Sequence, residues 1–172
     1  MGSSSSKRSD EKELENLIII SQKSCAGCKK EKEANIHRIK EELITLLNKK
    51  ELNISKEKMS LILKEEDYIT IYDLLNRILE CLKKKCTNIV TNSTCPYELK
   101  VHLHSIIYAA NRLEIKELKE FMEKIKKLYG SEFISKVIDN KDNLVNVVIV
   151  EKLKINFFSE QLIKERLKQL CI

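Results

Sequence analysis

Apolar and polar residues alternate with a helical period along most of the chain. From Asp10 to about Lys50, small or apolar side chains recur every three or four positions and no proline interrupts them. This spacing predicts one face of a single long helix. Forty helical residues span roughly 60 Å, so we expect this helix to pack along a partner of similar length. The face comprises Leu14, Ile18, Ser21, Cys25, Cys28, Ile36, Ile39, Leu43 and Leu46.

A second long helix is predicted for residues 56–89, after a short turn in which Ser55 is the expected N-cap. Its apolar positions form two neighbouring stripes, which indicates contact on two sides and a central place in the fold. We expect the two helices to form an antiparallel hairpin that turns near residue 53. In that register, residues face each other where their numbers sum to about 106.

Shorter elements are predicted after the hairpin. Residues 87–95 are rich in threonine and asparagine and predict a loop, and Pro96 suits the first turn of a third helix. Gly130 is expected to end a fourth helix, and Ser159 precedes the last helix. The expected helical segments are residues 96–110, 114–129, 132–138, 145–153 and those that follow 159.

Composition excludes most sheet folds. Three glycines and one proline among 172 residues cannot supply the turns of a sandwich, a barrel or a doubly wound sheet. With 42% hydrophobic and 34% charged residues, and no apolar run near the roughly 18 residues of a membrane span, the helices should be amphipathic. We therefore expect an all-α fold, a long antiparallel helical hairpin with about four shorter helices packed on it. Residues 1–10 are predicted to be a flexible tail and residues 11–172 a single domain.

The charge is mildly positive, with 32 basic and 26 acidic residues giving +6. This balance permits an anionic surface as a partner but does not call for nucleic acid, which we do not expect to bind. Lys12, Lys23 and Lys30 fall close to one line on the side of the first helix opposite its apolar face. Such a line could face an acidic membrane, whereas the glutamates that flank it favour an ordinary solvated surface.

The N-terminal residues fit two interpretations. Met1-Gly2-Ser3-Ser4-Ser5-Ser6 matches the pattern in which Gly2 carries a myristoyl chain. The same letters also resemble the start of an engineered expression tag. The sequence leaves both open.

Six cysteines occur without a secretory signal before them, which favours reduced thiols. Cys25 and Cys28 form a C-x-x-C pair, and the expected hairpin register would set Cys81 opposite Cys25. Three thiols could then meet, although a closed structural zinc site needs four ligands. The alternative is that these cysteines are small hydrophobic core residues, and we expect no cofactor. Metalloprotease, phosphate-loop and Ser-His-Asp patterns are missing from the sequence, so an enzyme is not expected.

The chain resembles the increased sodium tolerance family in a specific order of residues. The strongest part is Leu99, then Ser105-Ile106-Ile107-Tyr108-Ala109-Ala110-Asn111-Arg112, then Glu114 and Glu117-Leu118. Glu66-Asp67-Tyr68, Tyr129-Gly130 with Phe133, and Val145-Asn146 with Lys152-Leu153 keep the same order and spacing. The resemblance covers about residues 10–172. The residues that it marks as family signature or partner-binding positions are Glu66, Asp67, Tyr68, Tyr108, Arg112, Asn146 and Lys152.

This resemblance implies an ESCRT-III-related regulator of the vacuolar-protein-sorting AAA ATPase, without catalysis. Members of the family have a helical hairpin with shorter helices packed on it. The implied partners are ESCRT-III subunits, especially the charged multivesicular body protein one type, and the AAA ATPase, reached directly or through those subunits. The implied setting is cytoplasmic and peripheral to acidic endosomal membranes, in homo- or hetero-polymers that serve multivesicular body sorting, membrane remodelling and cytokinesis.

The last helix partly fits the motif of a helix that binds MIT domains. The spacing [DE]-x-x-L-x-x-R-L-x-x-L is matched with isoleucine for the first leucine. The same pattern is typical of a terminal helix packed on its own domain, in which case the leucines would be buried. The matching residues are Glu160, Ile163, Arg166, Leu167 and Leu170. Two other hypotheses for the whole chain are a helical thiol or zinc protein and a helical peptide-binding adaptor that does not polymerise.

Overall fold

The computed structural model describes residues 2–154 and 157–171, with side chains from Ser4 onward. This part of the chain forms eight α-helices and one 3-10 turn and contains no strand, so the expected all-α fold is confirmed. None of the described helices is both long and apolar enough to cross a membrane. The helices are α1 (Gly2–Asn48), α2 (Leu52–Lys83), α3 (Cys86–Thr91), α4 (Lys100–Arg112), α5 (Lys116–Tyr129), α6 (Ser131–Ile138), α7 (Val147–Leu153) and α8 (Glu160–Leu170), and the 3-10 turn is Tyr97–Leu99.

Helices α1 and α2 form the hairpin, but their turn lies earlier than expected. Lys50 adopts a left-handed conformation with φ 62°. The N–H groups of Lys50 and Glu51 donate to the carbonyls of Leu47 and Leu46, which closes the helix end without a glycine. Ser55 is therefore not an N-cap: it lies buried within α2, and its hydroxyl donates to the Glu51 carbonyl at 2.8 Å.

The earlier turn changes the register of the hairpin by roughly one and a half helical turns. Lys29 pairs with Asp73 at 2.9 Å and Lys32 pairs with Glu65 at 3.0 Å. The predicted register with Cys81 opposite Cys25 is wrong. Cys25 is buried in the same cluster as Tyr72, whereas Cys81 is exposed.

The N-terminal end of α1 is helical as far as Gly2, which differs from the tail predicted for residues 1–10. No glycine or proline follows Gly2 in this stretch, and each residue added to an existing helix gains a hydrogen bond. Two contacts hold this end against the domain. The Lys124 ammonium of α5 lies 2.6 Å from Asp10 and 2.7 Å from Glu13, and the Thr87 hydroxyl donates to Glu11 at 2.5 Å.

The second helix ends at Lys83 and not at residue 89 as predicted, and a separate helix, α3, extends into the segment predicted to be a loop. Ile89 and Val90 are buried, so burial favours the helix over the polar composition of the segment. The Thr91 hydroxyl donates to the Thr87 carbonyl at 2.8 Å, which satisfies that threonine within the helix. The loop is confined to the residues between α3 and Pro96.

Several predicted helix ends are confirmed. Gly130 follows α5 with φ 94°, a conformation that favours glycine. The Ser159 hydroxyl accepts a hydrogen bond from the Leu162 N–H at 3.2 Å and caps α8. Pro96, by contrast, is not in the first turn of α4: it precedes a 3-10 turn that leads into that helix. Helical turns also form at α6 and α7, close to the segments expected there.

Two separate hydrophobic clusters lie along the hairpin. The main core joins the first half of α1 and the second half of α2 to α3 through α7, and includes Leu14, Leu75 and Phe121. The second cluster, which we name the tip core, lies near the closed end of the hairpin. It consists of Ile36, Ile39, Leu43, Met59, Ile62 and Leu63 from the hairpin with Ile163 and Leu167 from α8.

Lys124 gives the first testable prediction. Burial disfavours its charged form, but the hydrogen bonds that its ammonium donates to Asp10 and Glu13 outweigh burial and raise its pKa. Lys124→Met keeps an aliphatic stem and removes the charge that holds α5 to α1. We expect a loss of about 1–2 kcal/mol in the free energy of unfolding, less than for a fully buried pair because both carboxylates keep water contact. Urea unfolding followed by circular dichroism measures this change in the free energy of unfolding.

The matched control is Lys116→Met on the same helix. Lys116 is 84% exposed and pairs with Glu120 at 3.7 Å, so its loss should cost less than about 0.5 kcal/mol. Equal effects of the two substitutions would contradict a structural role for Lys124.

Candidate protein-interaction site

Three adjacent carboxylates on α2 contact three different helices. Successive residues of a helix are rotated by about 100°, so Glu65, Glu66 and Asp67 point in different directions. Glu65 accepts hydrogen bonds from Lys32 and Asn35 of α1, each at 3.0 Å. The other two carboxylates bind the helices that follow the hairpin, and the segment that carries all three is therefore a junction.

Glu66 binds Arg166 of α8. Both terminal nitrogens of the guanidinium donate to the carboxylate, at 2.9 and 2.6 Å. Bidentate pairs of this kind are stronger and more directional than single hydrogen bonds. Hydrogen bonding of the guanidinium to Glu66 is the main cause of the raised pKa of Arg166.

The apolar side of α8 lies on the tip core. Ile163 and Leu167 are 9% and 8% exposed, and Leu170 packs against the same cluster. The residues that match the MIT-binding pattern are thus docked on their own domain. Glu160 stays on the outer side, where its carboxylate accepts hydrogen bonds from Lys56 at 2.8 Å and from Lys164.

Asp67 and Lys64 hold the C-terminal end of α7. Asp67 pairs with Lys152 at 2.6 Å. The Lys64 ammonium donates to the carbonyls of Lys152 and Lys154, at 2.9 and 3.3 Å. Cations near the last carbonyls of a helix are favourable because those groups have no partner within the helix.

Tyr68 lies between two lysines of different helices. The Lys32 and Lys64 ammonium groups stand 4.8 and 5.2 Å from the centre of its ring. Its ring also stacks on Tyr72, with 6.3 Å between the centroids. Cation–π contacts of this kind add to the attraction between α1 and α2.

The other signature residues form a second contact near α4. The Arg112 guanidinium lies 3.5 Å from the Tyr108 ring centre and donates to the carbonyls of Tyr108 and Ile138. The Asn146 side chain caps α7, and its backbone N–H donates to the Ser105 hydroxyl at 2.9 Å. The resemblance thus marked two clusters that join helices, not one continuous site.

The sequence reasoning missed two residues of this junction. Lys64 was not singled out, although it stands directly before the three acidic residues and contacts Tyr68 and α7. Lys32 was not singled out either, although it interrupts the apolar face of α1 between Cys28 and Ile36. A lysine that breaks an apolar face is a usable signal, because burial of its stem requires an acceptor nearby.

The three lysines of the predicted membrane-facing line lie on one exposed side of α1. Lys12, Lys23 and Lys30 are exposed, and none forms an ion pair with a described residue. Their arrangement as a line fits the helical geometry of α1. Membrane contact at this line stays a prediction, as does acylation of Gly2, where α1 begins.

The cysteines do not gather into the three-thiol cluster that the sequence suggested. Cys25 is fully buried and Cys28 is half-buried beside it, but Cys81 faces solvent. The described residues contain no group of three or more histidine, cysteine or acidic side chains placed to hold a metal ion. Burial raises the pKa of the Cys25 thiol to about 12, which suppresses the reactive thiolate.

This difference between the thiols predicts a labelling pattern. In the native protein at pH 8, iodoacetamide should modify Cys81 and Cys171, which are exposed. Cys25, and Cys86 with its pKa raised to about 11 by burial, should react at least tenfold more slowly. Peptide mass spectrometry gives the rates, and labelling in urea is the control in which all six cysteines react. Modification of Cys25 as fast as Cys81 would mean that α1 is not packed as described.

Comparisons with known proteins agree with this architecture. The crystal structure of the S. cerevisiae Ist1 N-terminal domain in complex with the Did2 MIM motif superposes with a TM-score of 0.85, covering 94% of this chain and 90% of that chain at 16% identity. An IST1-like protein of Dictyostelium discoideum is 27% identical over 125 residues. That match covers 72% of this chain and 34% of the relative, so this chain spans about a third of the relative's length.

The family comparison covers most of the chain. Residues 16–171 match the model of the Ist1 family, described as a regulator of Vps4 activity in the MVB pathway. The matched range runs from α1 to the end of α8 and includes both signature clusters. The chain belongs to the Ist1 family.

Proposed function

We propose that this chain is a non-catalytic, ESCRT-III-associated assembly and regulatory protein of the multivesicular body pathway. In this proposal it binds ESCRT-III subunits through helix–helix contact and thereby modulates recruitment of the Vps4 AAA ATPase. Membership of the Ist1 family supports this assignment. The observation that carries it is the docking of α8 on the hairpin through Arg166 and the tip core.

The surface under α8 has the features needed to receive an amphipathic helix. It combines an apolar floor, in which Ile62 and Leu43 are fully buried, with the Glu66 carboxylate at its edge. Helix-in-groove recognition uses apolar anchors at spacings of three and four residues, with charged residues that fix the register. Helix α8 supplies that pattern from within the chain, with Ile163 and Leu167 as anchors and Arg166 as the charge.

A partner helix with the same pattern could therefore take the place of α8. The yeast neighbour was crystallised with a MIM motif, and we infer that a motif of this kind is the ligand class for this chain as well. Displacement of α8 needs little rearrangement elsewhere, because in the described part of the chain the main core and the tip core have no buried residue in common. The free energy of detaching α8 would then set how strongly the partner binds.

Peripheral association with an acidic endosomal membrane is the second part of the proposal. Lys12, Lys23 and Lys30 present three exposed cations along one side of α1. Each basic residue near an anionic surface contributes about 1 kcal/mol. These lysines lie on the side of α1 opposite its tip-core residues, so membrane and partner could be bound together in a polymer.

Two substitutions that break the same ion pair should have opposite effects on partner binding. Arg166→Ala loosens α8 and leaves Glu66 available to the arginine of a partner helix. Glu66→Ala loosens α8 equally but removes the partner's anchor. For a peptide with the MIT-binding motif from a charged multivesicular body protein one type, we expect Arg166→Ala to tighten binding about fivefold or more and Glu66→Ala to weaken it. Calorimetry gives the affinities.

Hydrogen exchange of residues 160–170 serves as the internal control, since both variants should raise it to a similar degree. Glu165→Ala is the matched control, because among the described residues Glu165 accepts a hydrogen bond only from Gln161 of the same helix. If the two variants shift the affinity in the same direction, exchange of α8 is not the mode of binding.

Membrane association is tested by co-sedimentation with vesicles that contain phosphatidylserine. Replacing Lys12, Lys23 and Lys30 by glutamate should abolish sedimentation at physiological salt, because three attractive charges become repulsive. The motif peptide should bind this variant as it binds the wild type. Unchanged sedimentation would exclude this side of α1 as the membrane contact.

A further inference from the structure

A groove of about 390 Å³ opens at the tip of the hairpin, between the start of α2 and the end of α8. Its floor is apolar and comprises Leu47, Leu52 and Leu167. Its rim carries Lys56, Lys164 and Lys168. Leu52 is 59% exposed, a large apolar side chain left open to water at this position.

The rim has an excess of positive charge. Lys56 and Lys164 share one carboxylate, that of Glu160, at 2.8 and 3.2 Å. Those two hydrogen bonds lower the pKa of Glu160, which therefore stays ionised. Lys168 forms no ion pair with any residue in the described part of the chain. Three cations against one carboxylate leave the groove with an unmatched attraction for anionic groups.

The spacing of the rim lysines specifies the form of the ligand. Lys164 and Lys168 are four residues apart on α8, so they stand one helical turn from each other along its axis. Carboxylates one turn apart on a second helix have the same separation. The leucine floor needs apolar side chains in addition, which a small anion does not supply. We propose that this groove binds an acidic amphipathic helix of a protein partner.

Binding in this groove would also hold α8 in place. Leu167 is a wall of the groove and at the same time a buried member of the tip core. The groove therefore exists only while α8 is docked, and a ligand that binds it stabilises the docked form. This second consequence rests on the proposed exchange of α8: the acidic helix and the displacing helix would oppose each other, each weakening the binding of the other by the same factor.

A designed peptide tests the groove directly. The probe is a fluorescent 18-residue amphipathic helix with leucines on one face and glutamates one turn apart beside it, and its control has lysine in place of each glutamate. Fluorescence anisotropy should show binding of the acidic peptide only. Lys164→Glu with Lys168→Glu should weaken it at least tenfold, whereas Lys84→Glu with Lys85→Glu, the same charge change at exposed lysines elsewhere, should have little effect.

Two native thiols report where the peptide binds. Cys171 lines the groove and Cys81 lies on the exposed side of α2, and both are open to reagent in the free protein. The acidic peptide should slow alkylation of Cys171 and leave Cys81 unchanged. Equal protection of both thiols, or protection of Cys171 by anionic vesicles but not by the peptide, would overturn the proposal.

The Arg166→Ala variant separates this inference from the proposed function. This variant should weaken binding of the acidic peptide several-fold, because it loosens α8. It should at the same time tighten binding of the motif peptide. If Arg166→Ala does not change the affinity for the motif peptide but the acidic peptide still protects Cys171, the proposed exchange of α8 is wrong. The proposed binding of an acidic helix in the groove is then unaffected. If the acidic peptide fails to bind while the motif peptide responds as expected, only the groove is wrong.

Discussion

Three adjacent carboxylates in the middle of α2 tie the hairpin to the helices that pack on it. Neighbouring anions repel each other, and each must find its own cation when other helices cover it. The cations come from α1 for Glu65, from α8 for Glu66 and from α7 for Asp67. The segment therefore reaches its favourable electrostatic state only when all three helices are in place. One of these three ion pairs, that of Glu66, therefore exists only while α8 is docked.

The two hydrophobic clusters divide the molecule into parts of unequal stability. The main core draws on α1 through α7, whereas α8 depends on the smaller tip core and on the pair between Arg166 and Glu66. Regions with few buried contacts open at lower free energy than the global unfolding of a protein. The smaller contact of α8 makes it the element of this domain that detaches at the lowest free energy, which the proposed exchange requires.

The helices and their amphipathic faces followed from the sequence because they depend on local periodicity and on caps such as Ser159 and Gly130. The hairpin register did not, because it is set by Lys50, a residue whose left-handed conformation no local pattern announces. Helix α3 was missed since burial of Ile89 outweighs a polar composition. Both differences come from tertiary contacts, which the conformational preferences of single residues do not predict.

In the candidate site, too, the sequence indicated individual residues but not how they pair. The resemblance picked out Glu66, Asp67 and Lys152, and the pattern of the last helix picked out Arg166, but their pairing across the hairpin depends on the register. Lys124 and its two carboxylates were missed altogether. An ion pair between residues more than a hundred positions apart leaves no periodic trace in the sequence.

The length of α1 has a consequence for communication within the molecule. Its 47 residues extend for about 70 Å, and roughly 50 Å separate its N-terminal end from the residues under α8. The Debye length at physiological salt is about 8 Å, so a charge added at one end is screened several times over before it reaches the other. A modification or a membrane at the N-terminal end therefore cannot act on α8 through its electric field. Any coupling between the two ends must pass through the rigidity of the helix or through neighbouring molecules in an assembly.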